Sequence, residues 1–538
     1  MGSGYSRRLA RDIDNSFHRP IAFWTGCAII IAGVGSHIPM FMMGAAMGYQ
    51  LAGMPMSSLM VGGMALIPFG LALACYGMIP RFAGMARSGS APMQFHVADG
   101  VALNAEHWKL VAVLMVALAV DVLKPATLGF VMPGMTREYE ITRETAGVLP
   151  LVALTGTTLG SVVWGRLADR FGRRSAIMLS ALMFVGTAIC GAMPSFEWNL
   201  VMCFLMGASA GGLLPIAFTL MAETVPARHR GWLLVALGGI GTSGGYLLAA
   251  GSAAWLEPMF SWRVLWLLGL PTGLLIIVLG RFIPESARFL AGAGLQDEAR
   301  AVLARFAGNQ GVEADPPPLE AEHTAAAHTV VPAQLLRGKH AAITWGLVVC
   351  GVAWGMANFG FLLWLPTNLG RMGMDPGAAS ALLTRSALIA LPGTALVIWM
   401  YHSWSSLKSL VAFITLTMLS LLLFFVLDVA KVQSTAAMVI ATALLLVSAS
   451  GVIAMLIPYS AEIYPVQLRG TGSGLVAAGS KFGGILGALC GVFGLFSYFA
   501  ASALLIAIPM ALAAIMLARS GVETRGRRLE EIQHALNA

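Results

Sequence analysis

Charge is what this sequence lacks most. Only 11% of its 538 residues are Asp, Glu, Lys or Arg, while 58% are hydrophobic. An average soluble domain is about 25% charged and about 45–50% apolar, so the chain is too poor in charge to clothe a water-facing surface. Long uncharged runs point instead to lipid as the solvent. Cysteine is sparse as well. Cys27, Cys75, Cys190, Cys203, Cys350 and Cys490 each stand alone in an apolar stretch, without C-x-x-C spacing, which excludes a zinc finger and a disulfide framework. The opening MGSGYSRRLARDIDNSFHRP holds no apolar core, so a cleaved signal peptide is not expected. No catalytic constellation and no strand-borne phosphate loop occur, so neither an enzyme nor a bound cofactor or metal is expected. The net charge of +8 lies mostly in short loops between apolar runs, which speaks for membrane topology rather than for nucleic acid as a partner.

What is present is a series of apolar runs, each near the ~20 residues that cross a bilayer. Two come first, at 21–48 and 58–80. Six follow at 109–133, 146–168, 175–193, 197–222, 232–256 and 262–283, and six more at 342–368, 377–401, 408–428, 435–459, 471–497 and 499–519. The fold class is therefore an all-α membrane protein of fourteen spans. The expected domains are an N-terminal tail, hairpin and loop (1–108), a six-helix bundle (109–283), a central loop (284–341), a second bundle (342–519) and a tail (520–538). The central loop carries a short amphipathic helix at GLQDEARAVLARF before the Pro-rich NQGVEADPPPLEAEH. Basic clusters at RRLAR, RLADRFGRR, RHRG, Lys408, Arg469 and RGRR all fall on one side, which by the positive-inside rule places both termini in the cytoplasm.

An internal repeat supports the two bundles. AETVPARHRG at 222–231 matches AEIYPVQLRG at 461–470 in Ala, Glu, Pro, Arg and Gly, each closing the fourth span of its bundle. Duplicated halves enclosing a midplane site are a transporter architecture. The glycines of GGIGTSGG (238–245) follow no strand and read as a close-packing helix face.

The motifs sharpen this. GRLADRFGRR, with Gly165, Asp169, Arg170, Gly172 and Arg173, resembles the signature loop of the major facilitator superfamily. PESARFL (284–290) and VETRGRRLEEI (522–532) resemble segments of its sugar porters and of their organic-ion and aromatic-acid relatives. The resemblance covers 109–532 and implies a twelve-helix core, here with an added N-terminal hairpin, in a bacterial-type inner membrane as a monomer or weak oligomer. It also implies that Glu223, Arg230, Glu285, Arg288, Glu462 and Arg469 form a cytoplasmic charge network that breaks on opening. From the residues alone, Gly165 reads as a site of close helix approach, Asp169 as a charge near a neighbouring helix N-terminus, and Arg173 as the partner of a carboxylate. The equivalent loop WMYHSWSSLKSL has lost the pattern, so the latch is expected to be asymmetric.

Substrate-site candidates are the charges sunk in spans. Asp121 and Lys124 lie three residues apart on one helix face, beside Pro125, which removes a helical N–H. Each costs about 2.5–3.5 kcal/mol at mid-membrane unless a cavity or partner relieves it. Two readings stand: Asp121 carries a proton while Lys124 meets an anion, or the two simply pair. Lys481 and Arg385 add positive charge, Arg385 either in the cavity or snorkelling to an interface. Asn358 and Tyr246, with Trp354 and Trp364, are further candidate linings. Three cations against one acid favour an anionic substrate, and the sugar porters' glutamine pair is missing from 342–368. The expected function is proton-coupled transport of a small organic anion, with the lipid bilayer, the substrate and protons as partners. Two alternatives remain. His37 and the methionines 40, 42, 43, 47, 54, 56 and 60 of the hairpin suit Cu(I) as well as plain packing, and a transporter fold can serve as a receptor or scaffold.

Overall fold

The computed structural model describes residues 19–78, 101–292, 295–307, 335, 341–432, 434–464 and 466–525. Among them there is no strand. Fourteen helices of these residues are long and apolar enough to span a bilayer: α1 (Pro20–Met47), α2 (Ser58–Met78), α3 (Ala105–Glu138), α4 (Arg143–Phe171), α5 (Arg173–Ala192), α6 (Phe196–Thr224), α7 (Arg228–Phe260) and α8 (Val264–Phe282), then α10 (Ala341–Arg371), α11 (Pro376–Ser403), α12 (Ser406–Val429), α13 (Thr435–Ile463), α14 (Thr471–Val492) and α15 (Phe499–Ser520). Between the two groups lies the amphipathic α9 (Gln296–Ala307). Each apolar run of the sequence corresponds to one span, because a backbone in lipid must satisfy its own hydrogen bonds, which a helix does within a single segment.

The chain divides into two compact units whose boundaries cut through α3, α4 and α7. The first comprises 1–124, 156–230 and 260–317. Its α1 and α2 pair along glycines spaced by seven, Gly26 and Gly33 against Gly63, Gly70 and Gly77. A Cβ on Gly26 would lie 2.6 Å from the Gly70 carbonyl, and one on Gly33 2.7 Å from that of Gly63. Lipid offers no hydrophobic drive between helices, so such backbone contact is what holds the hairpin together. The hairpin packs on α5, whose apolar window is 94% buried. At its tip the Gly53 N–H donates to the Pro194 carbonyl at 3.0 Å. Arg263, wholly buried, donates to the carbonyls of Gly191 and Met193 at 3.2 and 2.8 Å and so fixes the same turn from α8. On α9, Arg305 meets Glu106 at 2.6 Å and Asn104 donates to the Phe306 carbonyl at 2.8 Å, docking the amphipathic helix on the start of α3.

The second unit comprises 125–155, 231–259 and 318–538. Here α10 and α14 approach through small-x-x-x-small runs, Gly351 and Gly355 against Gly479, Gly483 and Gly487. A side chain on Gly355 would collide with the Ser480 carbonyl, and one on Gly483 with that of Val352. Gly483→Leu is expected to cost well over the 1–3 kcal/mol typical of overpacking, since rigid backbone is what stands in the way. Fluorescence-detected gel filtration should show loss of the folded peak, while Gly474→Leu, with open space around it, should retain it. Residues Ala357–Leu362 within α10 form a π-helical turn, an irregularity often found at functional sites.

Candidate functional site

Asp121 and Lys124 stand one turn apart on α3, 3.1 Å from each other, with side chains 6% and 0% exposed. The Lys124 ammonium also lies 4.1 Å from the centroid of the Phe184 ring on α5, so an acid, an aromatic face and the aliphatic stem together offset the cost of burying the cation. The helix carries Pro125 and Pro133 without breaking. Carboxylate and ammonium thus form one compact, nearly dry charge pair.

At the end of α4 the chain turns through Gly172, whose φ of +101° is cheap only for glycine. That turn aims the first N–H groups of α5 at Glu285. Arg173 N–H donates to its Oε1 at 2.7 Å, Arg174 N–H to its Oε2 at 3.2 Å, and a Cβ on residue 172 would overlap the carboxylate. Glu285 therefore caps α5 from a distant segment, where the helix dipole favours negative charge. Burial pushes its carboxyl up to about 7 even though these N–H groups and Arg173 pull the other way. The Arg173 guanidinium donates to Glu223 at 3.2 Å, and Ser286 Oγ donates to the same carboxylate at 2.5 Å. The expected pairing of Arg173 with a carboxylate is there. Two finer expectations for the loop are not. Asp169 is 79% exposed and, among the described residues, pairs with Arg173 alone, at 3.9 Å; Glu285, not Asp169, occupies the α5 N-terminus. Gly165 faces open space, with no neighbouring atom within 4 Å of the point a Cβ would occupy, so close packing does not require glycine there. Arg170 lies exposed against the Phe171 ring, and Arg288 is exposed. Arg230 reaches the Val225 carbonyl at 3.5 Å.

The second unit carries a related arrangement in which hydroxyls donate to the carboxylates, although its loop lacks the motif of the first. Glu523 caps α12, accepting the Ser406 N–H at 3.0 Å together with the hydroxyls of Ser405 and Ser406. Burial raises its carboxyl, but the hydrogen bonds from Ser405 and Ser406 outweigh this and hold it below the usual range. Thr524 donates to Glu462 at 2.6 Å, as Ser286 does to Glu223, and Tyr401 adds a further bond at 2.9 Å. The side chain of Arg469 lies outside the described residues.

The remaining candidates lie on α7, α10, α11 and α14. Tyr246 on α7 is buried beside Phe130, 6.0 Å between ring centroids, and its hydroxyl has no hydrogen-bond partner among the described residues. Asn358 is the second residue of the π-helical turn of α10 and half-buried, and Lys481 lies half-buried on α14 beside the glycine seam. Trp354 donates to the Ala449 carbonyl at 2.8 Å and serves packing. Arg385 is exposed on the flank of α11, lining a shallow groove with Leu388, Ile389 and Thr435 at the start of α13. Sequence reading passed over a cleft of about 430 Å³ lined by Asn368, Arg371, Asp428 and Tyr498. Asp428 there accepts the Ala500 N–H at 2.8 Å and caps α15.

Residues 126–536 match the family model described as sugar (and other) transporter. The niacin transporter NiaP of Acinetobacter baylyi is 26% identical over 431 residues, 79% of this chain and 96% of the relative. The 4-hydroxybenzoate transporter PcaK of the same organism is 28% identical over 426 residues, 77% and 91% respectively. Among solved structures, the proton:xylose symporter XylE bound to 6-bromo-6-deoxy-D-glucose superposes with a TM-score of 0.60 at 18% identity, covering 80% of this chain and 99% of that one. This last likeness concerns the fold.

Proposed function

From the premise that the chain belongs to the sugar (and other) transporter family of the major facilitator superfamily, we propose that it carries a small organic anion, an aromatic or aliphatic carboxylate, together with protons by alternating access. The observation that carries this reading is the buried Asp121–Lys124 pair: a carboxylate that can take up a proton, held against the ammonium that a carboxylate substrate would displace it from. Protonation of Asp121 frees Lys124 for the anion, and release of the anion returns Lys124 to Asp121, so neither charge is left bare in lipid. Relatives named for niacin and 4-hydroxybenzoate support a carboxylate over a sugar. Six-helix bundles at 109–283 and 342–519 would rock about this site. The clusters around Glu223 and Glu462 would latch their cytoplasmic ends, with both termini in the cytoplasm of a bacterial-type cell as the loop Lys and Arg direct.

The test is uptake into proteoliposomes of nicotinate, benzoate, 4-hydroxybenzoate and short aliphatic carboxylates, with and without an imposed acid-outside gradient, xylose serving as control. At least one carboxylate should accumulate only with the gradient. Equal uptake with and without it, for every carboxylate, would defeat the proton coupling, and uptake of xylose alone would defeat the substrate class.

A further inference from the structure

The hairpin's methionines are not spread evenly over its surface. Met40 and Met60 are buried 97% and 99% and pack with Leu51 and with Ala192 of α5, while Met54 and Met56 from the connecting turn close over them. Met42, Met43 and Met47 are exposed. His37, itself 99% buried, lies one helical turn before Met40 and so on the same face. Across the pair, Ser36 meets Gly63, one turn after Met60. Met40 and Met60 therefore share one layer at the tip, and His37 lies one turn below it. His37 Nδ1 is 2.9 Å from the Gly33 carbonyl, to which only an N–H can donate. Ser36 Oγ lies a further 3.1 Å from Nδ1, and the Nδ1–H tautomer that suits both oxygens leaves Nε2 a bare lone pair, buried and without a hydrogen-bond partner among the described residues. Hydrophobic packing accounts for methionines, but it does not account for an orphaned imidazole nitrogen one turn below them. A ring held through Nδ1–H to a carbonyl, with Nε2 free, is how metal-bound histidines are oriented.

We propose that His37, Met40 and Met60, with Met54 or Met56 as a fourth ligand, form a binding site for a soft monovalent cation, Cu(I). The donor set selects the ion: thioethers and imidazole are soft to intermediate, and between Arg19 and Met78 there is no Asp or Glu to hold a hard divalent ion. All the ligands are neutral, so the complex carries one positive charge, which the hairpin tip can place at the membrane interface. Cys27 stands ten residues before His37, about 15 Å along the helix, and is out of reach. Bound metal would tie α1, the connecting turn and α2 into one knot against the Ala192 turn. The site stands independently of the carboxylate reading.

The experiment is anaerobic competition for Cu(I) between the purified full-length protein and a chromogenic Cu(I) chelator. The wild type should withdraw one equivalent. His37→Ala, and separately Met40→Leu/Met60→Leu, which conserves volume and packing, should each weaken binding at least about tenfold, the scale on which even outer-shell partners of metal sites act. Met42→Leu/Met43→Leu/Met47→Leu should bind as wild type does. Thermal unfolding in detergent confirms that each variant is folded. The proposal falls if the wild type takes no Cu(I) from the chelator, if the ligand variants bind undiminished, or if the exposed-methionine variant loses as much as they do.

Discussion

Asp121→Asn should abolish gradient-driven uptake of the transported carboxylate while leaving the protein in the membrane. Asparagine keeps the size and a hydrogen-bond acceptor for Lys124 at the present 3.1 Å, but it cannot take up a proton, so the cycle loses its coupling step. The difficulty is that the same change strands Lys124, which is fully buried, and removing one partner of a buried pair costs about 3–5 kcal/mol of stability. Loss of transport alone would then be ambiguous. The double variant Asp121→Asn/Lys124→Gln separates the two effects. With both charges gone, the stability lost in Asp121→Asn should largely return, read as recovery of the melting temperature in detergent, whereas accumulation against the gradient should stay at background, a fall of about 100-fold or more. If accumulation returns together with stability, the pair is a structural pin and Asp121 is not the proton carrier.

Most of the architecture was legible because lipid imposes one simple rule, a run of about twenty uncharged residues per crossing, and each of the fourteen runs became a span. The chemistry of the Glu223 and Glu462 clusters was legible only in part. Arg173 and Glu223 stood out as charges at fixed spacing. The equivalent bonds around Glu462 and Glu523 did not, since Tyr401, Ser405, Ser406 and Thr524 are ordinary residues in an apolar sequence and acquire meaning only when α12 and the chain after α15 meet. Glycines show the same limit. The G-x-x-x-G runs of α10 and α14 and the heptad glycines of the hairpin were visible in the sequence, but which of them touch backbone depends on helix rotation. Hence a side chain at Gly483 would meet backbone, while at Gly165, in a recognised motif, no described atom lies within 4 Å of where a Cβ would sit. Arg263 escaped notice because its partners are carbonyls, which every residue possesses.

The two caps, Glu285 and Glu523, should answer pH in opposite senses. Glu285 has a folded value near 7 against an ordinary 4.5, so the folded protein holds a proton that the unfolded chain has released. Its favourable contribution is whole below about pH 4.5 and is lost as pH climbs to about 7, roughly 3 kcal/mol at one unit per ~1.4 kcal/mol. Glu523 is held below the ordinary value, so its contribution is whole above about pH 4.5 and is lost on acidification. Glu285→Gln, always neutral, keeps one acceptor oxygen for the Arg173 N–H but sets an NH2 against the Arg174 N–H; it should flatten the fall in melting temperature between pH 4.5 and 7, at the cost of that one bond. Glu285→Ala also removes the pH dependence, but it leaves those N–H groups uncapped, at a cost of about 0.5–2 kcal/mol. Because Gly172 and Arg173 then lose the anchor that orients Arg173 toward Glu223, transport should fall more than the stability loss alone explains. Glu523→Gln should change nothing near pH 7 beyond a small loss and should remove the decline below pH 4.5. Melting curves of the three variants from pH 4 to pH 8 decide the matter: a Glu285→Gln slope identical to wild type would mean that the Glu285 carboxylate is charged throughout this range and that the pH response lies elsewhere in the latch.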